Sequence, residues 1–314
     1  MISIVIPLYN KETAIVGTLD SVLAQTYTDY EVIIVNDGST DRSKEVVELW
    51  LAENSCRCGC RFRLLSKSNG GVCSARNRGI QEAQGEYIAL LDGDDQWDKD
   101  YLAEMARMIT DFPKAAMWGI NFAEMYEGKL IRKLSTGLPE DYRGYVEHYF
   151  EMPERISDLF CSSSVVIRKE VFDKVGMFDE RLKYSEDIDM WYRIIANYPV
   201  AFYDRYMAWY LYDAENRAMN RTRQLKYWLP YYVDKYKDER FVHNRVFYQW
   251  IMRWCAVKIK HIYFTDVEQR NDARTATTKL DYAVLPQKYR LFFRLPYGLA
   301  KLLYILDEKR LKNK

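Results

Sequence analysis

The sequence predicts an α/β fold: a mostly parallel central sheet flanked by helices, with a helical C-terminal extension. Three observations lead there. Over the first hundred residues, apolar β-branched runs alternate with segments of helical spacing. Those runs are apolar throughout, as strands covered on both faces require. Beyond residue 215 the strand-like runs stop and helical spacing continues to the end.

Taken in order, Ser3–Pro7 is the first strand, and Ile15, Leu19, Val22 and Leu23 recur at helical spacing. Glu31–Asn36 is the second strand, closed by Asp37-Gly38-Ser39. Thr40 to about Glu53 reads as a helix with Ser39 or Thr40 as its cap. Phe62–Ser66 is a third strand, and Val72–Ala83 is a helix ended by Gly85. Glu86–Leu91 is a fourth strand that runs into Asp92-Gly93-Asp94-Asp95. Then strands near Ala115–Asn121, Phe160–Arg168 and Ala201–Tyr212 mix with helices at Glu140–Tyr149 and Glu186–Asn197. Four further helices are expected at Arg221–Lys237, Glu239–Ile262, Asp266–Asp281 and Pro286–Lys309. The expected organisation is one domain over residues 1–214, with halves of about 1–112 and 113–214, and a helical region over 215–314. There are no repeats and no low-complexity tract.

The chain has 314 residues, 48% of them hydrophobic, enough for a substantial core. Lys and Arg total 46 against 45 for Asp and Glu, so no basic excess points to nucleic acid and none is expected as a partner. Pro7 cuts short the first apolar run and no basic segment precedes it, so a secretion signal is not expected. No stretch reaches the roughly 20 apolar residues of a membrane span. A cytoplasmic location is therefore expected. Six cysteines are present, and Cys56, Cys58 and Cys60 form a tight run. Zinc sites normally pair such a cluster with a distant second one, so a surface loop is favoured over a metal site.

In parallel sheets, ligands bind beyond the carboxyl ends of the strands. Tyr9-Asn10, Asp37-Gly38, Ser68-Asn69-Gly70-Gly71 and Asp92–Asp95 all follow strands, so they should line one crevice. Asp and Gly after a strand often make only a turn. Three acids in four residues repel one another, and that favours a cation or donors nearby. Asp92, Asp94 and Asp95 are placed to hold Mn²⁺ or Mg²⁺, ions that take one or two carboxylates and neutralise phosphate charge. Arg76 falls in the first turns of the helix flanking that crevice, where a solvated side chain is the alternative. A second acidic site lies at Ser185-Glu186-Asp187, where Ser185 is a plausible cap. Acids suit a helix N-terminus in any case, but a carboxylate there can also serve as a general base.

The blocks Ile4-Val5-Ile6-Pro7-Leu8-Tyr9-Asn10, Gln25-Thr26 and Glu31–Asp41 resemble the opening of family 2 glycosyltransferases. Asn69-Gly70-Gly71-Val72, Ser74-Ala75-Arg76-Asn77 and Gly85–Asp95 continue the resemblance in the family's order over residues 2–100, and a weaker match extends to about 212. The resemblance implies the nucleotide-sugar-binding fold called GT-A. It implies that Pro7, Tyr9, Asn10, Asp37 and Asn69 receive the nucleoside. Arg76 approaches the base or diphosphate, Asp92 faces the ribose beside Gly93, and Asp94 with Asp95 holds the metal. Gly176–Trp191 resembles the family's second block, which implies Asp187 as catalytic base with Glu186 orienting the acceptor. It also implies an inverting transfer of one sugar from a nucleotide-sugar donor, with UDP as carrier, to a glycan or lipid-linked saccharide acceptor.

Some features depart from relatives. Processive synthases carry a Gln-x-x-Arg-Trp block, and Gln249–Trp254 is one residue too long and reads as packing. None of His148, His243 and His261 falls where some relatives place an extra metal ligand. A sugar nucleotidyltransferase would need a Gly-rich phosphate loop after the first strand, and Pro7–Lys11 is not one. A non-catalytic carbohydrate-binding module of the same fold would not need the intact acidic tetrad. Finally, Lys288, Arg290, Arg294, Lys301, Lys309, Arg310, Lys312 and Lys314 interleave with leucines and aromatics at the C-terminus. Such a helix either lies peripherally on the inner face of a membrane or docks on the first domain; both alternatives stay open.

Overall fold

Apolar runs at the N-terminus become adjacent strands, the first two of them buried on both faces. In this computed structural model, which describes residues 1–133, 136–152, 159–212, 229–237 and 244–312, β1 (Ile2–Leu8), β2 (Tyr30–Asn36), β3 (Phe62–Ser66) and β4 (Tyr87–Leu90) lie in the order β3-β2-β1-β4, all parallel. Alternation sends Ile4, Ile6 and Leu8 to one face. There they join Leu19 and Val22 of α1 (Ile15–Leu23) and Val47 and Trp50 of α2 (Ser43–Glu53). A single turn, α3 (Ser55–Cys58), and a 3-10 turn at Gly59–Arg61 carry the cysteine run. Cys56 is exposed and Cys58 buried, both as free thiols, and the Cys60 side chain lies outside the described residues. Val5, on the other face of β1, meets α4 (Val72–Glu82) so closely that a Cβ on Gly79 would stand 2.3 Å from Val5 Cγ1.

The second half of the sheet is mixed. After β5 (Gln96–Trp97) and α5 (Tyr101–Asp111) come β6 (Met117–Tyr126), β7 (Lys129–Lys133), β8 (Arg143–Tyr145), β9 (Val165–Arg168) and β10 (Val200–Leu211). β9 lies antiparallel between β4 and β6, and β10 runs parallel to β6. Edge strands β5, β7 and β8 pair antiparallel. The helix expected over Glu140–Tyr149 is absent: its centre is β8, paired through Tyr145 with Ala201. Backbone pairing with a sheet edge overrides the weak local helix preference of a segment containing Gly144. The strand expected from Phe160 begins only at Val165, because Ser162–Ser164 form a 3-10 turn. Helices α6 (Val171–Val175) and α7 (Glu186–Ile195) complete this part.

The chain divides into two units, Met1–Tyr149 with Arg155–Arg221, and Phe150–Glu154 with Thr222–Lys314. The second is helical: α8 (Leu229–Tyr236), α9 (Arg245–Thr265), α10 (Arg270–Thr277), α11 (Gln287–Phe292) and α12 (Tyr297–Lys312). The expected helix starts at Arg221 and Glu239, and the expected boundary at 214, lie outside the described residues. The helix expected over Pro286–Lys309 is two helices. Pro296 sits at the break, where it lacks an N–H and disfavours helical geometry at Leu295. Trp250 and Trp254 of the Gln249–Trp254 block are buried, against Phe150 and Tyr232 respectively. Among the described residues no helix is long and apolar enough to cross a membrane.

Candidate active site

Register brings four strand ends to one edge, with Leu8 opposite Asn36, Asn36 opposite Ser66, and Val5 opposite Leu90. Side chains then tie the following loops together. Asn10 adopts a left-handed backbone (φ 52°) that its short amide side chain tolerates. Its Oδ1 accepts from Thr40 N at 2.8 Å, and its own N donates to Ser39 Oγ at 3.2 Å. Ser39 and Thr40 are thus engaged with the β1 loop and do not cap a helix as expected. α2 starts only at Ser43, whose N and Oγ donate to Asp41 Oδ1 at 3.0 and 2.6 Å.

The Asp37 carboxylate is buried. It accepts from Lys67 Nζ at 2.6 Å and from the Gly70 and Gly71 amides at 3.0 and 2.7 Å. Asn69 Nδ2 donates to the Asp37 carbonyl at 2.9 Å. Gly38 (φ 68°) permits this approach, since a Cβ there would sit 2.9 Å from Asn69 N. Tyr9 stays exposed, and Pro7 and Asn10 are partly so.

The tetrad's three carboxylates diverge. Asp92 Oδ1 accepts from Arg76 Nη2 at 2.7 Å, and Asp94 Oδ2 accepts from Lys11 Nζ at 2.6 Å. Asp95 turns inward, accepting from Ser163 Oγ at 2.5 Å and Leu211 N at 3.3 Å. Burial, followed by the charges of Asp94 and Asp92, holds Asp95 well above the usual carboxylate range. Gly93 is buried where a Cβ would meet the Pro7 carbonyl at 3.0 Å, so it permits close packing of the tetrad on the end of β1. Among the described residues no three His, Cys, Asp or Glu side chains converge as a ready ion cage.

Arg76 joins the tetrad to the second acidic cluster. It is 2% exposed, and its Nη1 donates to Glu186 Oε1 at 3.2 Å. Burial works against its charge, but Asp92 and Glu186 outweigh that and push its pKa up. The loop before α7 is fixed from two sides. Asn77 Nδ2 donates to the Phe178 carbonyl at 2.9 Å and to Glu180 at 3.0 Å, and Phe178 N donates back to Asn77 Oδ1 at 2.9 Å. Buried Arg193 donates to Asp189 at 2.9 Å and to the carbonyls of Gly176 and Met177 at 3.0 and 3.1 Å. Ser185 is not the side-chain cap expected of it: its backbone is left-handed (φ 58°) and it makes no capping bond. Asp187 accepts from Ile188 N at 2.8 Å. Burial, and then the Glu186 charge, push Asp187 up to about 7. Trp191 is core, edge-on to Phe178.

The sequence model of the family described as Glycosyl transferase family 2 matches residues 3–176. The chain belongs to glycosyl transferase family 2. It is similar to the uncharacterized glycosyltransferase EpsJ of Bacillus subtilis, 32% identical over 195 residues that cover 60% of this chain and 54% of EpsJ. It is also similar to the uncharacterized glycosyltransferase RT0329 of Rickettsia typhi, 28% identical over 71% of this chain and 69% of that protein. The chain therefore spans about half to two thirds of these relatives' lengths. In structure it matches S. aureus TarS 1–349 in complex with UDP-GlcNAc, with a TM-score of 0.73 at 18% identity over 96% of this chain and 87% of that one. It also matches the mannosyltransferase PcManGT of Pyrobaculum calidifontis in complex with GDP-Man and Mn²⁺, with a TM-score of 0.56 at 16% identity over 98% and 87%. The fold of this family 2 chain is GT-A.

Several residues hold this family 2 site together without a role assigned to them from the sequence. Ser163 and Arg193 lie outside the quoted motifs, Lys11 and Lys67 stand beside them, and Asn77 lies inside the Arg76 block, where nothing signals its partner. Of the histidines, His261 Nδ1 lies 3.1 Å from the Tyr304 hydroxyl in the helical unit, and His243 is outside the described residues.

Proposed function

We propose that this chain is an inverting glycosyltransferase that moves one sugar from a UDP-linked donor to a hydroxyl of a glycan or lipid-linked saccharide. The observation that carries this is the Arg76 bridge. One guanidinium holds Asp92 of the tetrad and Glu186 of the second cluster, joining a donor half and an acceptor half around one buried charge. The strand-end loops bearing Pro7, Tyr9, Asn10 and Asn69 receive the nucleoside, and Asp37 organises them. The acceptor oxygen bonds to the anomeric carbon as the bond from that carbon to the diphosphate oxygen breaks. The electron pair leaves with the nucleoside diphosphate, and the hydroxyl proton goes to Asp187. A carboxylate whose pKa lies near 7 is matched to taking a proton at neutral pH. Glu186, fixed by Arg76, orients the acceptor.

Asp94 and Asp92 fit Mn²⁺ or Mg²⁺. Both are hard oxygen donors at a rigid strand end, partly open to solvent, and each is already paired with a protein cation. Such ions need only one or two carboxylates, because substrate phosphate and water complete their shell. When bound, the ion neutralises charge on the diphosphate leaving group. Asp95 backs the pair from inside through Ser163. The UDP-GlcNAc and GDP-Man with Mn²⁺ held by the two solved relatives support a nucleotide-sugar and a divalent ion here.

Calorimetry tests the metal assignment. Asp94→Ala should lose the Mn²⁺-dependent part of UDP binding. Unchanged Mn²⁺-dependent affinity would overturn it.

A further inference from the structure

α12 is apolar on two sides. Tyr297, Ala300 and Tyr304 recur at helical spacing and pack with Phe264 and Phe292 inside the helical unit. Leu299, Leu302, Leu303 and Leu306 recur at i, i+3, i+4 and i+7, which forms a second stripe. These four leucines are 46–55% exposed. A helix apolar on both sides needs a second apolar partner, and scattered exposed residues would not line up this way. Leu291 of α11 extends the exposed apolar surface.

The charges around this stripe are mainly basic; Glu308 also belongs to α12, with its side chain outside the described residues. Lys288, Arg290, Arg294 and Lys301 are exposed on α11, α12 and the turn between them. The nearby acid Asp307 is paired with Lys260 at 2.7 Å. Lys309, Arg310 and Lys312 follow in sequence, with side chains outside the described residues.

We infer that the leucine stripe of α12, flanked by these basic residues, docks on the interface of an anionic lipid bilayer. Leucines bury in the acyl boundary while the long basic side chains reach the phosphates. A second copy of the chain suits the surface less well. A two-fold contact sets a patch against itself, bringing Arg294 and Lys301 towards their own copies without a counter-charge. Anionic headgroups supply that charge. The surface stands apart from the transfer reaction proposed above, because its residues are not those of the donor and acceptor sites.

Co-sedimentation of the full chain with phosphatidylcholine vesicles, with and without phosphatidylglycerol, tests this without any nucleotide. Binding should require phosphatidylglycerol and weaken as salt rises. Leu302→Ser with Leu306→Ser should weaken it by about tenfold or more, and Arg294→Glu with Lys301→Glu should remove its dependence on anionic lipid. Melting curves should show both variants folded, and calorimetry should show UDP binding as in the parent. The proposal is overturned if the parent ignores anionic vesicles or if the serine variant binds as the parent does. It is also overturned if the parent is a dimer that the serine variant turns into monomer. Loss of UDP binding in the parent would instead count against the transfer proposal and leave the membrane surface standing.

Discussion

Glu186 and Asp187 are adjacent in sequence but differ in what they touch. Glu186 accepts from the buried Arg76, whereas Asp187 accepts from the Ile188 amide and is desolvated beside the Glu186 charge. Asp187 is therefore shifted towards neutrality, and it should control the pH dependence of turnover. kcat/KM, which reports the free enzyme, should fall on the acid side with an apparent pKa of about 7. Asp187→Asn should reduce transfer by roughly 10²–10⁴ and keep UDP affinity within about twofold. Near-normal turnover would remove Asp187 as base, and so would an acid limb in the ordinary carboxylate range. The candidate acids and Arg76 are legible in sequence because each stands at a strand or helix end inside a recognisable block. Lys11 and Ser163 are not, because their partners lie 83 and 71 positions away along the chain, and Asn77, although inside such a block, gives no sign there of its partner 101 positions away. A through-space pairing at such separations leaves no local pattern.

At the scale of elements, α4 is the part on which both halves of the site depend. It carries Arg76 and Asn77, and it lies flush on β1 only because residue 79 is Gly. Gly79→Ala would drive a methyl into Val5 on a core strand. Overpacking of this kind costs roughly 1–3 kcal/mol, so the urea midpoint should drop, and donor binding should weaken as Arg76 shifts. An unchanged midpoint would show that α4 can back away freely and does not fix the site. The first four strands are legible because uninterrupted β-branched runs have few alternatives. The segment 140–149 is not, since Tyr142, Val146 and Tyr149 mimic helical spacing while the backbone of 143–145 pairs with β10. Likewise the apolar and basic spacing over 286–309 says nothing of its break, which Pro296 alone signals.

At the scale of the whole molecule, the same arrangement that prepares a base should set the pH range of stability. Glu31 and Asp41 are held below the usual range. Burial opposes this in both, but Ser3, the Gln84 amide and Arg63 outweigh it for Glu31, and Ser43 does so for Asp41. Their contribution is present above the ordinary carboxylate range and is lost as pH falls through their lowered values. Asp187 has the opposite sign. Its folded-state value is raised, so its contribution is fully present below the ordinary carboxylate range and is lost as pH rises through about 7. The overall charge of +1 adds little self-repulsion at neutral pH to mask this. Stability without nucleotide or metal should therefore peak at mildly acid pH and decline towards about pH 8, where the base must be ionised to work. Asp187→Asn should lessen that decline, of which Asp95, also raised, keeps a share, so its melting temperature should exceed the parent's at about pH 8 and converge with it only as pH falls below the ordinary carboxylate range. Melting curves that stay parallel across this range would mean that Asp187 ionises in the folded chain as it does in the unfolded one, and the cause assigned to its raised pKa would fall with it.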